Sequence, residues 1–494
     1  MSVQIFLQGK ILGTQDFLLS AAPGAKPGTL AENERLLVGR ARYITLLSEV
    51  LPRALLAELG LSKILLGSSG GGQFLVVLPA EARPNAEEFL SAAAREIREL
   101  SGGNLRLVTA VTENLGDWSV VRKRLNEEMR ARRGSPAAGL SPDAFTPFQE
   151  QPEADGTRYF IESLGAELRG ADVVGWSPET PGRILLGPGK HSWSLTAGQS
   201  LDAIPFARHT ATSENETQPA DGLTLGRRAH GRPLWGVLRG DVDHLGVRLR
   251  RLHTIEEHVQ ISVMYKQFFA GEIELLCSLP EFWRKVGILY TGGDDFAVYG
   301  SWDALISLAR EIQRLFHRFS EENLKDFPGQ EGKTITMAIA LAPEPEAALA
   351  SVYAEAGRKL ELAKSSDRDC VHVFGRTIEW RQLAAAADLR DTIVRMAEEL
   401  DSPEQFLAEL AGLYRKTSTV EDESSGGELR FRKPWRVYRR LNLAVGEPRV
   451  REIQKLRNQL TNEMLAKSFA QVKLRPGGRV ALEWARLLTQ RCNP

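Results

Sequence analysis

Four aspartates in two short stretches carry the side chains best suited to metal chemistry. Asp241-Val242-Asp243 closes an apolar strand pattern that runs from Leu234 to Gly240, and Asp294-Asp295 follows Gly292-Gly293. Carboxylate oxygens are hard ligands. Mg²⁺ or Mn²⁺ is commonly held by one or two of them together with substrate phosphates and water, so two such positions converging on one sheet edge suit a cation that carries a nucleotide. The glycines would let the turn take unusual backbone angles and let a nucleotide approach the main chain closely. Gly-Gly-Asp-Asp alone is also a good hairpin turn, since Gly and Asp are favoured there for local reasons. What raises it above a turn is its context: the strand ending in Asp241 and a helical pattern between the two motifs.

The elements that must position these residues follow from hydrophobic spacing. The strand before Asp241 leads into helical periodicity from about Thr254 to Leu276, then a glycine-turn hairpin with strands Val286 to Tyr290 and Phe296 to Tyr299. A helix from about Trp302 to Glu322, a strand from Ile335 to Leu341, a helix from Glu346 to Lys364 and a strand from Cys370 to Phe374 complete it. The βαββαβ order builds an antiparallel sheet with both helices on one face, the ferredoxin-like layout of polymerase palms and nucleotide cyclases. A weaker copy precedes it: a strand near Val3 to Leu12, a helix from Arg35 to Leu59, a hairpin at Lys63 to Leu78, a helix near Pro84 to Ser101 and a strand at Leu105 to Val111. There Gly71 and Gly72 precede Gln73-Phe74 where the second copy has Asp294-Asp295-Phe296, so the glycines persist and the carboxylates do not.

The fold class is therefore α+β, with two ferredoxin-like palm domains, a small connecting domain and a C-terminal helical bundle. Expected boundaries are 1–134 for the first, non-catalytic palm, 135–231 for the connecting domain, 232–385 for the catalytic palm and 386–494 for the helical domain. A chain of 494 residues exceeds what one core usually serves. Lys plus Arg and Asp plus Glu balance at 63 each, so no global positive field advertises nucleic acid. Cys277, Cys370 and Cys492 are too far apart for a CxxC knuckle, which points to reduced thiols. No run of about 18 apolar residues and no signal-peptide pattern occurs, so a cytoplasmic protein without a membrane partner is expected.

The motif set Asp241-Val242-Asp243-His244-Leu245-Gly246 with Gly292-Gly293-Asp294-Asp295 resembles the catalytic palm of the large subunit of type III CRISPR effector complexes, Csm-type. Gly13-Thr14-Gln15-Asp16-Phe17, Arg40-Ala41-Arg42 and Gly71-Gly72-Gln73-Phe74 resemble that family's first palm, and Phe160 with Leu164-Gly165-Ala166-Glu167-Leu168 the start of its middle region. The resemblance implies a nucleotidyltransferase that converts ATP to cyclic oligoadenylate, with guide RNA, target RNA, and small-subunit and backbone-subunit proteins as partners. It assigns Asp241, Asp294 and Asp295 to Mg²⁺ or Mn²⁺ and catalysis, and Gly292, Gly293, Gly71, Gly72, Lys364 and Arg368 to nucleotide binding. Arg368 stands where the family has a second lysine, and a planar fork meets phosphate differently from a point charge. Lys10 stands where the first palm usually has Asp, and His244 where Asn is usual. The 8 histidines include no His-Asp dipeptide and the middle region no cysteines, so neither HD-type DNA cleavage nor structural zinc is expected.

Elsewhere, Arg430 to Arg440 interleaves six cations with Phe431, Trp435 and Tyr438. Arg432, Lys433, Arg436 and Arg439 are candidates for nucleic-acid contact, with an amphipathic or subunit-contacting helix start as the alternative. The basic stretch Arg122 to Arg133 reads as a solvated helix face, and His258, His317 and His372 as packing or surface residues. Two rival functions stand beside the first. Gly-Gly-Asp-Asp-Phe differs by one residue from the GGDEF signature of synthases that make a cyclic dinucleotide from GTP, and a catalytically silent scaffold subunit would need no carboxylates at all.

Overall fold

The computed structural model describes residues 4–20, 29–134, 155–195, 203–214, 218–366, 368–399, 403–415, 451–468, 471–474 and 476–490. The first half contains β1 (Gln4–Leu12), β2 (Leu66–Gly70), β3 (Gln73–Pro79) and β4 (Arg106–Glu113) in the sheet order β2-β3-β1-β4. All its neighbouring pairs are antiparallel. Alternation along β1 decides its two faces. Ile5, Leu7 and Ile11 enter a core with helices Leu30–Glu58 and Arg83–Leu100, whereas Phe6 packs with Val121, Leu125 and Met129 of helix Trp118–Gly134.

A small antiparallel sheet follows, with β5 (Val173–Trp176) between β6 (Leu185–Leu186) and β7 (His191–Ser194). Weak periodicity over this stretch hid its short strands. Its Val174 and Trp176 share the apolar core of the first half. Arg42, fully buried on the long helix, ties the same region down: its guanidinium donates to the carbonyls of Leu164 at 3.1 Å and Arg208 at 3.1 Å and to the Thr210 hydroxyl at 2.5 Å.

The second half contains β8 (Trp235–Val242), β9 (Val286–Thr291), β10 (Asp295–Ser301), β11 (Ile335–Leu341), β12 (Cys370–Val373) and β13 (Arg376–Glu379), ordered β13-β12-β11-β8-β10-β9. Its four central and outer strands β11-β8-β10-β9 repeat the order and antiparallel sense of the first sheet. β12 joins in parallel and β13, which sequence spacing did not reveal, closes the edge. Leu238, Phe296 and Met337 pack with helix Trp302–Asn323 on one face, while Val237, Ala297 and Ala340 pack with helix Leu349–Ser366 on the other. Leu37, Val38 and Ala41 of the first half's long helix join that second cluster, so the two halves share a core. The helix expected from Thr254 to Leu276 is Ile255–Gln267, a wider turn over Phe268–Glu272, and Ile273–Ser278.

Helices Trp380–Glu398 and Pro476–Thr489 extend the second core through Leu383, Ile393, Val480 and Trp484. The tail is not helical throughout, contrary to expectation: β14 (Leu465–Ser468) and β15 (Gln471–Leu474) form an antiparallel hairpin. The apolar-polar alternation of Val472, Lys473 and Leu474 is strand spacing too short to register beside the flanking helical patterns. Among the described residues, no helix is long and apolar enough to cross a membrane.

Candidate nucleotide and metal site

Strand register brings the separated aspartates together. Asp295 lies directly opposite Asp241 across β10 and β8, and Thr336 opposite Asp241 across β8 and β11, so the three share one face. The main-chain N–H of Val242 donates to the Asp294 carbonyl at 2.9 Å, which fixes the hairpin tip against the end of β8. Lys364, near the end of helix Leu349–Ser366, places its Nζ 3.0 Å from Asp241 Oδ2.

Each aspartate has a different setting. Burial pushes the Asp241 carboxyl above its ordinary range, with Lys364 opposing. Burial, the Asp295 charge and the Asp241 charge push Asp294 up to about 7, against Lys364 and Lys10. Asp295 is also raised by burial, opposed by Arg239 and by the Tyr290 hydroxyl, which donates to its Oδ2 at 3.1 Å. Arg239 in turn donates to Tyr290 Oη at 3.3 Å and lies 4.4 Å from the centre of the Tyr353 ring. Asp243 is buried: its oxygens accept from Thr336 Oγ1 at 2.7 Å, Thr334 Oγ1 at 2.8 Å and the Asp369 N–H at 3.0 Å. It is thus a tie between strands and the loop before β12, and Arg368 approaches it at 3.6 Å.

The glycines do something other than expected. Neither Gly292 nor Gly293 has positive φ, whereas Gly70, Gly71 and Gly72 all do, at 126°, 58° and 72°. Gly292 is needed for room, because a Cβ there would lie 2.2 Å from Asp295 Oδ1, while Gly293 has open space beside it. The first half's turn meets the second's: a Cβ on Gly71 would lie 3.4 Å from the Gly293 amide nitrogen. Beside this junction Lys266 Nζ bonds Glu49 Oε2 at 2.5 Å and Ser69 Oγ at 2.9 Å, and Arg53 joins Glu49 at 2.7 Å. Burial raises the Glu49 carboxyl, and Lys266, Arg53 and Ser69 more than offset it.

Asp241, Asp294, Asp295, Gly292, Gly293, Gly71, Gly72 and Lys364 are therefore gathered at one junction, with Arg368 set behind it on Asp243. Arg432, Lys433, Arg436 and Arg439 lie outside the described residues. Sequence reading placed Tyr290 at the end of a strand, where its ring packs against the core and its hydroxyl holds Asp295, and it passed over Arg239, Tyr353, Glu49 and Lys266. Arg239 was legible in principle, since it stands two residues before Asp241 on the same strand face. His258 packs on Trp118 with ring centres 5.2 Å apart and His372 accepts or donates at Thr377, while His317 is exposed.

Among the described residues, no three His, Cys, Asp or Glu side chains close a ready-made metal cage. The donor set nevertheless fits Mg²⁺ or Mn²⁺ completed by phosphate and water: hard oxygens on adjacent strands, crowded so that their own charges push Asp294 up.

Residues 234–372 match the family described as Cas10/Cmr2, second palm domain. The "CRISPR system single-strand-specific deoxyribonuclease Cas10/Csm1 (subtype III-A)" of Mycobacterium tuberculosis is 24% identical over 463 residues, covering 76% of this chain and 54% of that protein. Its namesake from Thermococcus onnurineus is 23% identical over 452 residues, covering 76% and 55%. The chain spans about half the length of these curated relatives. A solved Csm1-Csm4 cassette in complex with cA4 matches with a TM-score of 0.69 at 18% identity, over 99% of this chain and 70% of that one. A Csm1-Csm4 cassette in complex with AMPPNP matches with a TM-score of 0.62 at 19% identity, over 85% and 63%. At these identities the structures show a shared fold. The resemblance to the type III CRISPR large subunit, drawn from the motifs, agrees with the family model over residues 234–372 and with the names of the curated relatives.

Proposed function

We propose that this chain, a relative of the Cas10/Csm1 large subunits, joins ATP molecules 3′ to 5′ into cyclic oligoadenylate within an RNA-guided type III complex in the cytoplasm. The observation that carries the proposal is the junction itself, where Asp241, Asp294 and Asp295 share a sheet end with Lys364, 3.0 Å from Asp241, and the Gly71 turn faces Gly293. The ligands in the names of the solved relatives, cA4 and AMPPNP, are of the chemistry this junction would take.

In this reading two ferredoxin-like palms each present a nucleotide. The 3′-oxygen of one ATP attacks the α-phosphorus of the other, a P–O bond to the β-phosphate breaks, pyrophosphate leaves and the hydroxyl proton passes to solvent. Mg²⁺ or Mn²⁺ held by Asp241 and Asp294, with Asp295 beside them, would acidify that hydroxyl and offset charge on the leaving group. Lys364 orients the triphosphate, and Gly293 leaves the main chain open to it. Tyr290 and Arg239 fix Asp295, and so the turn. The relatives' names record single-strand-specific deoxyribonucleases about twice this span, and the activity proposed for this chain is confined to nucleotidyl transfer.

Asp294→Ala combined with Asp295→Ala is expected to abolish nucleotide joining and to leave complex assembly and target RNA binding intact, since these carboxylates do not pack a core. Synthesis retained by that double variant, followed by product mass, would sink the assignment.

A further inference from the structure

Strand β2 belongs to a hairpin with little of its own to hold it. It lies at the edge of its sheet, its register with β3 shifts between Leu66 and Ser68, and it runs into Gly70, Gly71 and Gly72, three successive glycines with positive φ. An edge, a register shift and glycines each leave the backbone freer to move. Yet this turn meets the other half at close range, since a Cβ on Gly71 would lie 3.4 Å from the Gly293 amide nitrogen. A soft turn held so close needs support from outside its own sheet.

The helices that follow the catalytic strand supply it. On helix Ile255–Gln267, His258 Nε2 lies 3.5 Å from Ser68 Oγ, and Lys266 Nζ donates to Ser69 Oγ at 2.9 Å and to Glu49 Oε2 at 2.5 Å. The Ser69 hydroxyl donates in turn to Glu49 Oε2 at 2.9 Å, which closes a triangle between the edge strand, the first half's long helix and the catalytic half. Little of Lys266 or Glu49 is exposed. Arg122, read from sequence as part of a solvated face, strengthens the same seam. It crosses from helix Trp118–Gly134 to the carbonyls of Leu249, Arg250 and Leu252, at the end of helix Leu245–Arg251, which begins just after Asp241-Val242-Asp243. Trp118 of that crossing helix packs on His258.

We propose that Ser69, Glu49 and Lys266 form a bracket by which the catalytic half sets the gap between the two glycine turns, which makes them positioning residues for the joining step. The bracket rests on the reading of the junction as a nucleotidyl-transfer site. Among the described residues none of the three is bonded to Asp241, Asp294 or Asp295, so their effect on the reaction is one of distance. A displacement of about 1 Å between reacting groups can cost about a hundredfold in rate. The contacts that bind ATP stay in place, so the loss falls on kcat and not on KM.

Ser69→Ala tests the bracket, because it removes the hydroxyl that ties β2 to Lys266 and Glu49 and leaves that ion pair in place. In the assembled complex with target RNA and Mg²⁺, the variant is expected to lose about tenfold or more in kcat for ATP joining, with KM for ATP changed less than about threefold. Ser69→Thr, which keeps a hydroxyl, should restore the rate. In the full chain without metal or nucleotide, hydrogen exchange followed by mass should quicken in Ser69→Ala at residues 70–72 and, across the seam, at residues 292–294, with the unfolding midpoint near the parent's. A serine that only steadied its own hairpin would leave the second turn untouched. Unchanged kcat, a loss confined to KM, or unchanged exchange at residues 292–294 overturns the bracket. If the parent complex joins no ATP, the catalytic reading fails instead, and exchange at the second turn still decides whether Ser69 holds the two turns together.

Discussion

Asp294 carries the conflict that makes the site useful. Burial and two neighbouring carboxylates push its carboxyl up to about 7, so in the metal-free folded chain it stays protonated well into the range where a free aspartate is ionised, and is about half protonated near neutral pH. The unfolded chain ionises it near its ordinary value, about 3.9. The folded chain therefore binds the extra proton between those values. The stability this group contributes is fully present below about 4 and is lost as pH rises through about 7. Asp294→Asn removes the titration. In EDTA at pH 8 the variant is expected to exceed the parent in stability by on the order of 1–4 kcal/mol, with the advantage vanishing toward pH 4. Mg²⁺ should raise the melting temperature of the parent and leave that of the variant unchanged. A variant that melts at or below the parent at pH 8, followed by circular dichroism, would contradict this account of the site's strain.

Between the elements, the seam of the two halves rests on buried charge as well as on apolar packing. Glu49 on helix Leu30–Glu58 is tied to Lys266 on helix Ile255–Gln267 at 2.5 Å and to Arg53 at 2.7 Å, with little of Glu49 exposed. Replacing one partner leaves an uncompensated buried charge. Lys266→Met alone should cost about 3–5 kcal/mol, and Lys266→Met with Glu49→Gln markedly less, as read by urea denaturation in a double-mutant cycle. Additive losses would show that the two residues do not act as a pair. This seam was invisible in the sequence because its partners lie far apart in the chain and neither belongs to a motif. Elements of the second sheet were legible: strand Ile335–Leu341 was placed to the residue by its apolar run, and the Gly-Gly-Asp-Asp turn by its glycines. The short strands β5 to β7 and the hairpin β14–β15 were not, since two to four residues cannot establish a period. For the same reason of spacing, Asp243 could be read only as a companion of Asp241, and its burial against Thr334 and Thr336 emerged from the register of β8 with β11.

For the whole molecule, Lys plus Arg and Asp plus Glu balance at 63 each, so in the proposed reading control by RNA should enter through a local cluster of cations. The cation and aromatic stretch Arg430 to Arg440, outside the described residues, remains the sequence-based candidate. Replacing Arg432, Lys433, Arg436 and Arg439 with Ala should weaken target-stimulated synthesis and flatten its salt dependence, because fewer counterions would be released on binding. Unchanged synthesis at every salt concentration would return that stretch to a solvated helix face. The central claim concerns what the carboxylate junction makes. Its most direct measurement is mass identification of the products formed when the assembled complex meets target RNA, Mg²⁺, and ATP or GTP. The account predicts 3′–5′ linked cyclic oligoadenylate with pyrophosphate released from ATP, and none when Asp294 and Asp295 are both replaced with Ala. A cyclic dinucleotide formed from GTP with nothing from ATP, or the same products from the double variant, would contradict it.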